Sequence, residues 1–429
     1  MKNLKSLKNT NLFTSHRKLH ISIFIISSFL TSSILIYNYV INSPLTDFPT
    51  IKIVTNGNPE YEKYVNATFE LKSKKLSEEV PSIDARVRLR GSGSGWNKMS
   101  PKKGYRIELT DQISLLGMRK DDDWLLFELY SDYPKTRTKL SMDLWRSLSS
   151  TNPTAILPDS KFVCVYINGD FKGLYLLAEK NDRTLFGLDD YQNNINSSLI
   201  FQAKGEKNIV PYDRTAWEQD WPNIDESYLI MDEILTELSY FIEHSSNEEF
   251  FDSNNSIYTK FYKENLIDYY IFNYFIYHQD CWNHNYFIVR DSYPSKFYLI
   301  PWDFDISFGQ YLWKELDERF YLEYDIRYLN RLYDRLLGNK SFKEDLKIRW
   351  FELRNSIWSS ENILNMLDEM YDEIGDVLSS EVNLWNMRSP ILFREERVND
   401  IEESIDFLYD WIEERLEFCD YYFSDMGNE

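Results

Sequence analysis

The run His278-Gln279-Asp280-Cys281-Trp282-Asn283-His284-Asn285 gathers the side chains of this chain best suited to chemistry. It places an acid five residues before an amide, in the spacing His-x-Asp-x-x-x-x-Asn. An acid so placed can orient or accept the proton of an attacking hydroxyl, and the amide oxygen can hold a metal ion beside it. Two short predicted strands, 286–289 and 297–302, flank the turn 290–296 and lead to Asp303-Phe304-Asp305. Asp303 and Asn285 together suit Mg²⁺, which takes one or two carboxylates and fills its remaining positions with phosphate oxygens. The implied chemistry is phosphoryl transfer to a hydroxyl, with Asp280 catalytic and Asn285 and Asp303 metal-binding. The His and Cys residues of the first run lack the ligand spacing of a zinc site. The plainer assignments are a helix end with its turn for 278–285, and turn capping for Asp303 and Asp305.

Such a site needs elements that bring phosphates and cations to it. Arg90-Gly91-Ser92-Gly93-Ser94-Gly95 follows the predicted strand 85–90, and its glycines allow close backbone approach to a phosphate. Lys102 and Lys103 open the next strand. Either is placed to reach phosphates, because neighbouring strand residues face opposite ways. The apolar strand 174–179 ends in Glu179, which is either part of an adenine-binding hinge or the acidic partner of the lysine. The helix predicted over 136–149 contains Asp143 but no Glu.

Strand patterns dominate residues 50 to about 210. The runs 162–167 and 173–178 flank an Asn168-Gly169-Asp170 turn, a hairpin signal. Helical spacing marks 226–247, 257–279 and most of 341–429. The predicted organisation is an α+β chain, with a strand-rich N-lobe at 48–210 that binds nucleotide. A helix-rich C-lobe at 211–429 carries the catalytic loop, and ligand sits in the cleft between them.

Charge divides the chain further. It has 429 residues, 48 basic and 69 acidic, for a net charge of −21. Residues 1–20 hold five basic side chains and no acid; removing those five leaves 43 basic against 69 acidic residues, a net of −26. That acidity excludes a nucleic-acid binder, since phosphate backbones require clustered positive charge. The run 21–41 is uncharged and 21 residues long, enough for a transmembrane signal-anchor helix. Basic residues on its N-terminal side place the N-terminus in the cytosol and the remainder outside or in a lumen. A cleaved signal peptide, giving a secreted protein, requires a shorter apolar run and small residues at its end. Three cysteines exclude a disulfide scaffold.

The chain also resembles the CotH family. The resemblance rests on Arg88-Leu89-Arg90-Gly91-Ser92, Lys102-Lys103-Gly104-Tyr105-Arg106-Ile107, Asp123-Trp124-Leu125-Leu126 and 173–179. It continues in Asp280, Asn285-Tyr286 and the block Ile300-Pro301-Trp302-Asp303-Phe304-Asp305, and it covers most of 50–420. CotH proteins are atypical, secretory-type protein kinases known from spore coats, with fungal members acting as surface invasins. The resemblance implies a bilobal protein-kinase-like fold and transfer of the ATP γ-phosphate to Ser or Thr of exterior or luminal proteins. Mg²⁺ is the expected cofactor and Mn²⁺ its substitute. It carries Asp280 over as the catalytic acid and Asp303 as the metal-binding acid. Arg90, Gly91, Ser92, Gly93, Lys102, Lys103 and Glu179 are the candidate nucleotide-binding residues. Basic proteins are the electrostatically favoured substrates. The alternative is an inactive surface adhesion or binding protein; a hydrolase built on Asp303 and Asp305 is a weaker third.

Overall fold

The computed structural model describes residues 48–91, 100–192, 194–205, 209–223, 228–282, 284–311, 314–315, 329–385 and 401–426. Seven strands form its first unit: β1 Thr50–Thr55, β2 Val65–Lys72, β3 Val80–Leu89, β4 Tyr105–Ser114, β5 Lys120–Phe127, β6 Ser160–Ile167 and β7 Asp170–Glu179. Their order is β1-β2-β3-β4-β5-β7-β6, and parallel pairing of β1 with β6 closes them into a barrel. Alternation decides what fills it. Ile51, Ile53, Phe69, Val87, Ile107, Trp124, Leu126, Val165 and Leu177 form one cluster inside. On β5, β6 and β7 the alternate residues, among them Leu125, Phe162 and Leu176, join the main core outside. These strands are buried on both faces, which explains their nearly unbroken apolar sequence. The β6–β7 hairpin turns at Asn168 and Gly169, with φ +52° and +86°, both left-handed as a two-residue I′ turn requires.

A second sheet has the order β11-β10-β8-β9, from β8 Leu199–Ala203, β9 Trp217–Trp221, β10 Tyr286–Arg290 and β11 Tyr298–Pro301. The helices are α1 Arg137–Ser147, α2 Tyr228–His244, α3 Lys263–Phe275, α4 Arg331–Leu337, α5 Lys340–Arg354, α6 Ser360–Trp385 and α7 Ile401–Asp425, with single turns at 247–250 and 257–260. Helix α3 is the hub: all its residues from Asn265 to Phe275 are buried. Its aromatic rings pack on α1 through Trp145 and Phe272, 5.1 Å between centroids, and on α7 through Tyr274 and Tyr422, 4.2 Å. Among the chain's 31 Tyr, 27 Phe and 12 Trp, many of those described pack in this core.

Two expectations are corrected. The bilobal kinase-like fold is not what forms. The strand-rich part closes on itself instead of standing as an open lobe, because β1 finds an edge partner more than a hundred residues away in β6. The second sheet takes strands from both sides of residue 210. One continuous core runs from Leu125 to Met426 across both supposed lobes. Nor do the described residues contain any helix long and apolar enough to cross a membrane. The long helices α6 and α7 have 26 and 25 residues but carry acids along their exposed faces. This corrects the expected single-pass membrane placement; the segment 21–41 that prompted it lies, like 1–20, outside the described residues.

Ile107 is wholly buried inside the barrel. Ile107→Ala is expected to cost about 2–5 kcal/mol of stability, the range for emptying a packed core site. Urea denaturation reads this as a lowered midpoint at unchanged slope; a cost under about 1 kcal/mol contradicts a filled barrel.

Candidate active site

Helix α3 delivers the acidic loop. It ends at Ile276, and Tyr277 then takes a left-handed φ of +53°, turning His278 back toward the helix. His278 is fully buried. Its Nδ1 faces Asn273 Oδ1 at 3.0 Å, and its Nε2 lies 2.9 Å from the Asp303 carbonyl oxygen and 3.2 Å from Asp280 Oδ1. Asn273 is oriented by donating Nδ2 to the Tyr269 carbonyl. His284 Nε2 lies 3.3 Å from Asp280 Oδ2, and Asn285 Nδ2 donates to the same oxygen at 2.7 Å. Burial opposes a charge on Asp280, but hydrogen bonds from His278 and His284 outweigh it and hold the carboxyl well below the usual range.

The β10–β11 hairpin brings the second acid alongside. Tyr286 pairs with Pro301, and Trp302 N donates to the Asn285 carbonyl at 2.9 Å. Asn285 and Asp303 both take left-handed backbone, φ +60° and +64°, at the two ends of that contact. Two non-glycine residues in this sparse region mark a site where geometry is enforced by the surroundings. Asp303 and Asp305 then face a cleft of about 440 Å³.

The cleft lies where four strands end. Arg88, Arg90 and Gly91 come from the end of β3, and Phe127, Glu128, Leu129, Ser131 and Asp132 from the end of β5 and the chain after it. Gln202 to Lys204 come from the end of β8, and Trp302, Asp303 and Asp305 from beyond β11. Arg90 stacks on the Phe127 ring at 3.9 Å and reaches within 3.9 Å of Asp303 Oδ1; Phe127 in turn meets Trp302 edge-on at 5.8 Å. Gly91 has φ +95°, so glycine suits the point where the chain leaves β3. Asp305 is exposed at the cleft; crowding by the surrounding protein, then Asp303, Asp280 and Glu128, push its carboxyl up against the pull of Arg90, an effect that this exposure to water moderates.

Of the sequence candidates, Arg90, Gly91, Asn285 and Asp303 line this one cleft, with Asp280 hydrogen-bonded to Asn285 beside it. Ser92 and Gly93 lie outside the described residues. Lys102, Lys103 and Glu179 do not line it. Lys102 is fully buried, donating Nζ to Glu381 Oε1 at 2.6 Å and to the Leu174 carbonyl at 2.5 Å. Burial pushes its pKa down against the pull of Glu381. Lys103 sits near Glu128, its Nζ 5.9 Å from the Tyr61 ring centroid. Glu179 accepts from the Arg119 and Asp159 amides at 2.8 and 2.9 Å, so it is a buried corner of the barrel and not the lysine's partner. That partner is Glu381, 279 residues from Lys102, which pattern reading did not find. Arg88 and Glu128, not among the site candidates, also line the cleft; Arg88 stands in the motif Arg88-Leu89-Arg90-Gly91-Ser92 and shares the period-two alternation of Arg86 and Arg90, the signals that marked it. The weaker hydrolase reading loses its geometry, because β11 ends at Pro301 and the left-handed Asp303 breaks the strand that would align Asp303 with Asp305.

The donor set fits a hard divalent cation. Among the described residues no three His, Cys, Asp or Glu side chains form a complete metal cluster. Mg²⁺ needs none, since substrate phosphates supply the remaining oxygens. Asp303 and Asp305 offer carboxylates and Asn285 keeps its Oδ1 once Nδ2 is engaged; a cation held there would offset the repulsion among the acids.

Two sequence comparisons bear on the family of the chain. A family model described as CotH kinase protein matches residues 87–419, which span β3 to α7 and include the whole cleft. The chain belongs to the CotH family. It is also 24% identical over 287 residues to the inner spore coat protein H of Bacillus subtilis (strain 168), covering 64% of this chain and 72% of that protein.

The crowding at Asp305 has a stability consequence. A carboxyl whose folded pKa is raised favours the fold while protonated and penalises it as pH rises through the unfolded value near 4. Asp305→Asn is therefore expected to raise the melting temperature at pH 7 in metal-free buffer and to leave it unchanged at about pH 3.5. A lower melting temperature at pH 7 contradicts the crowding.

Proposed function

We propose that this protein is a divalent-metal-dependent kinase that transfers the γ-phosphoryl group of ATP to Ser or Thr hydroxyls of proteins. The observation that carries the reading is the convergence of Arg90, Asn285 and Asp303 on one cleft, with Asp280 hydrogen-bonded to Asn285. Asp303 and Asn285 would hold Mg²⁺, with Mn²⁺ as a substitute, and Asp305 stands beside them. The metal, when bound, neutralises charge on the phosphates. Arg90 is placed to neutralise more, its planar guanidinium already flattened against Phe127. In the reaction the substrate oxygen bonds to the γ-phosphorus, the bond to the ADP oxygen breaks, and the hydroxyl proton leaves toward Asp280. Because His278 and His284 hold Asp280 ionised, its role is chiefly to orient the hydroxyl; it is a weak final resting place for the proton. Lys102 has no phosphate role in this scheme. Basic proteins are the proposed substrates, since the chain carries a net charge of −21 and attracts them over a Debye length.

Asp280→Ala and Asp303→Ala are each expected to lower transfer of labelled phosphate from ATP to a basic acceptor protein by at least about 100-fold. They separate in binding. Asp303→Ala is expected to abolish the Mg-ATP-dependent rise in melting temperature, and Asp280→Ala to retain it, since a bound ligand stabilises only what it binds. Labelling that survives both changes refutes the kinase reading. A wild-type chain that gains no stability from millimolar Mg-ATP points instead to a binding protein.

A further inference from the structure

One buried group of charges is not used by the chemistry above. Helix α6 turns an apolar stripe inward at Ile363, Leu367, Met370, Ile374 and Val377, in steps of three and four. The next position of that stripe is Glu381, a carboxylate with no exposure at all. Around it Lys102 Nζ stands at 2.6 Å and Lys135 Nζ at 3.9 Å, both equally buried, while the Leu174 amide donates to its other oxygen at 2.8 Å. A Cβ on Gly173 would overlap the carboxylate, so glycine there leaves the room it occupies.

Lys135 belongs to the segment 129–138, which forms one wall of the cleft through Leu129, Ser131, Asp132 and Thr138. The wall is not regular structure: Leu129 and Lys135 have φ +50° and +67°. Lys135 staples it by donating Nζ to the Leu129 carbonyl at 2.7 Å. Helix α6 supports the same wall at two more points. Tyr371 OH meets Thr136 Oγ1 at 3.0 Å, and the Trp385 ring packs edge-on against Tyr130 at 6.2 Å. Trp385 Nε1 also donates to the Lys172 carbonyl at 3.0 Å, which fixes the end of α6 to β7.

We propose that Glu381 is a positioning residue that shapes the cleft from behind, neutralising Lys102 and Lys135 so that α6 braces the wall 129–138 in its strained conformation. The part of this concerning nucleotide rests on the kinase reading; the bracing does not. Removing the charge takes from two buried ammonium groups their nearest counter-charge, leaving the more remote Asp132 and Glu128, and so weakens the Lys135 staple on the wall.

The experiment compares wild type with Glu381→Gln by amide hydrogen exchange and by Mg-ATP kinetics. Exchange in 129–138 is expected to rise at least tenfold while β2 and β3 stay as protected as in wild type. KM for ATP is expected to rise at least tenfold, with kcat within about threefold. A general loss of stability would instead raise exchange everywhere. Unchanged exchange in the wall, or a loosened wall with unchanged KM, overturns the proposal. A loosened wall in a chain whose wild type never binds Mg-ATP upholds the brace and removes the nucleotide reading. Should Glu381→Gln fail to fold, Tyr371→Phe removes one hydroxyl only and is expected to raise exchange around Thr136 several-fold; no change there overturns the bracing.

Discussion

Asp303 and Asp305 share one cleft, with Asp280 held beside it through Asn285, although the three carboxylates repel one another. The rest of the site can be read as the means of meeting that constraint. Asp280 is kept charged by two imidazoles and an amide. Asp303 is turned by a left-handed backbone, and the carbonyl of that residue faces His278, so one ring links both acids. Arg90 supplies the nearest guanidinium, and Asp305 is left with the raised affinity for a proton. The proposed divalent cation would supply a compact positive charge against this repulsion, with the groups around it already fixed in place.

Fixing those groups falls to elements that are themselves over-determined. Helix α3 is buried on all sides, and strands β5, β6 and β7 are buried on both faces. The cleft stands at the ends of four strands drawn from two different sheets, so it inherits the rigidity of both while its own residues lie in turns. This is the usual division between scaffold and site. Here it also explains why left-handed non-glycine residues gather at Leu129, Lys135, Asn285 and Asp303, all of them on or beside the cleft.

Much of this was legible in the sequence wherever partners are close along the chain. The Asn168-Gly169 turn forces the β6–β7 hairpin. The polar run after an apolar helix, then two short strands, then Asp303, leads through one hairpin that must return Asp303 toward Asn285. Other features depended on distant partners. Barrel closure rests on pairing Thr50 with Cys164, and nothing local in either strand announces the other. The apolar runs of β5 to β7 fit an open sheet as well as a closed one. Lys102 and Lys103 precede β4 in irregular chain, so no strand alternation separates them, and a one-residue step decides between a buried ion pair and a half-exposed side chain. Glu179 is open to two assignments from the sequence, one of them as the lysine's acid because it lies near in the chain, whereas the acid that Lys102 meets stands on a helix 279 residues on.

That distant pair is weak as an account of stability. Desolvating Lys102, Lys135 and Glu381 is costly, and apolar residues of similar volume would serve a helix–barrel contact at least as well. The carboxylate breaks an otherwise regular apolar stripe on α6, which local packing does not require. What two lysines and one glutamate provide, and three leucines do not, is direction. Each nitrogen must meet a particular oxygen, and one of those oxygens is the carbonyl of Leu129 in the cleft wall. The interaction therefore selects one arrangement of the wall among several that would pack equally well. On the proposed reading, a site that must place carboxylates, an amide and a guanidinium close together would gain from that selection even at a cost in stability.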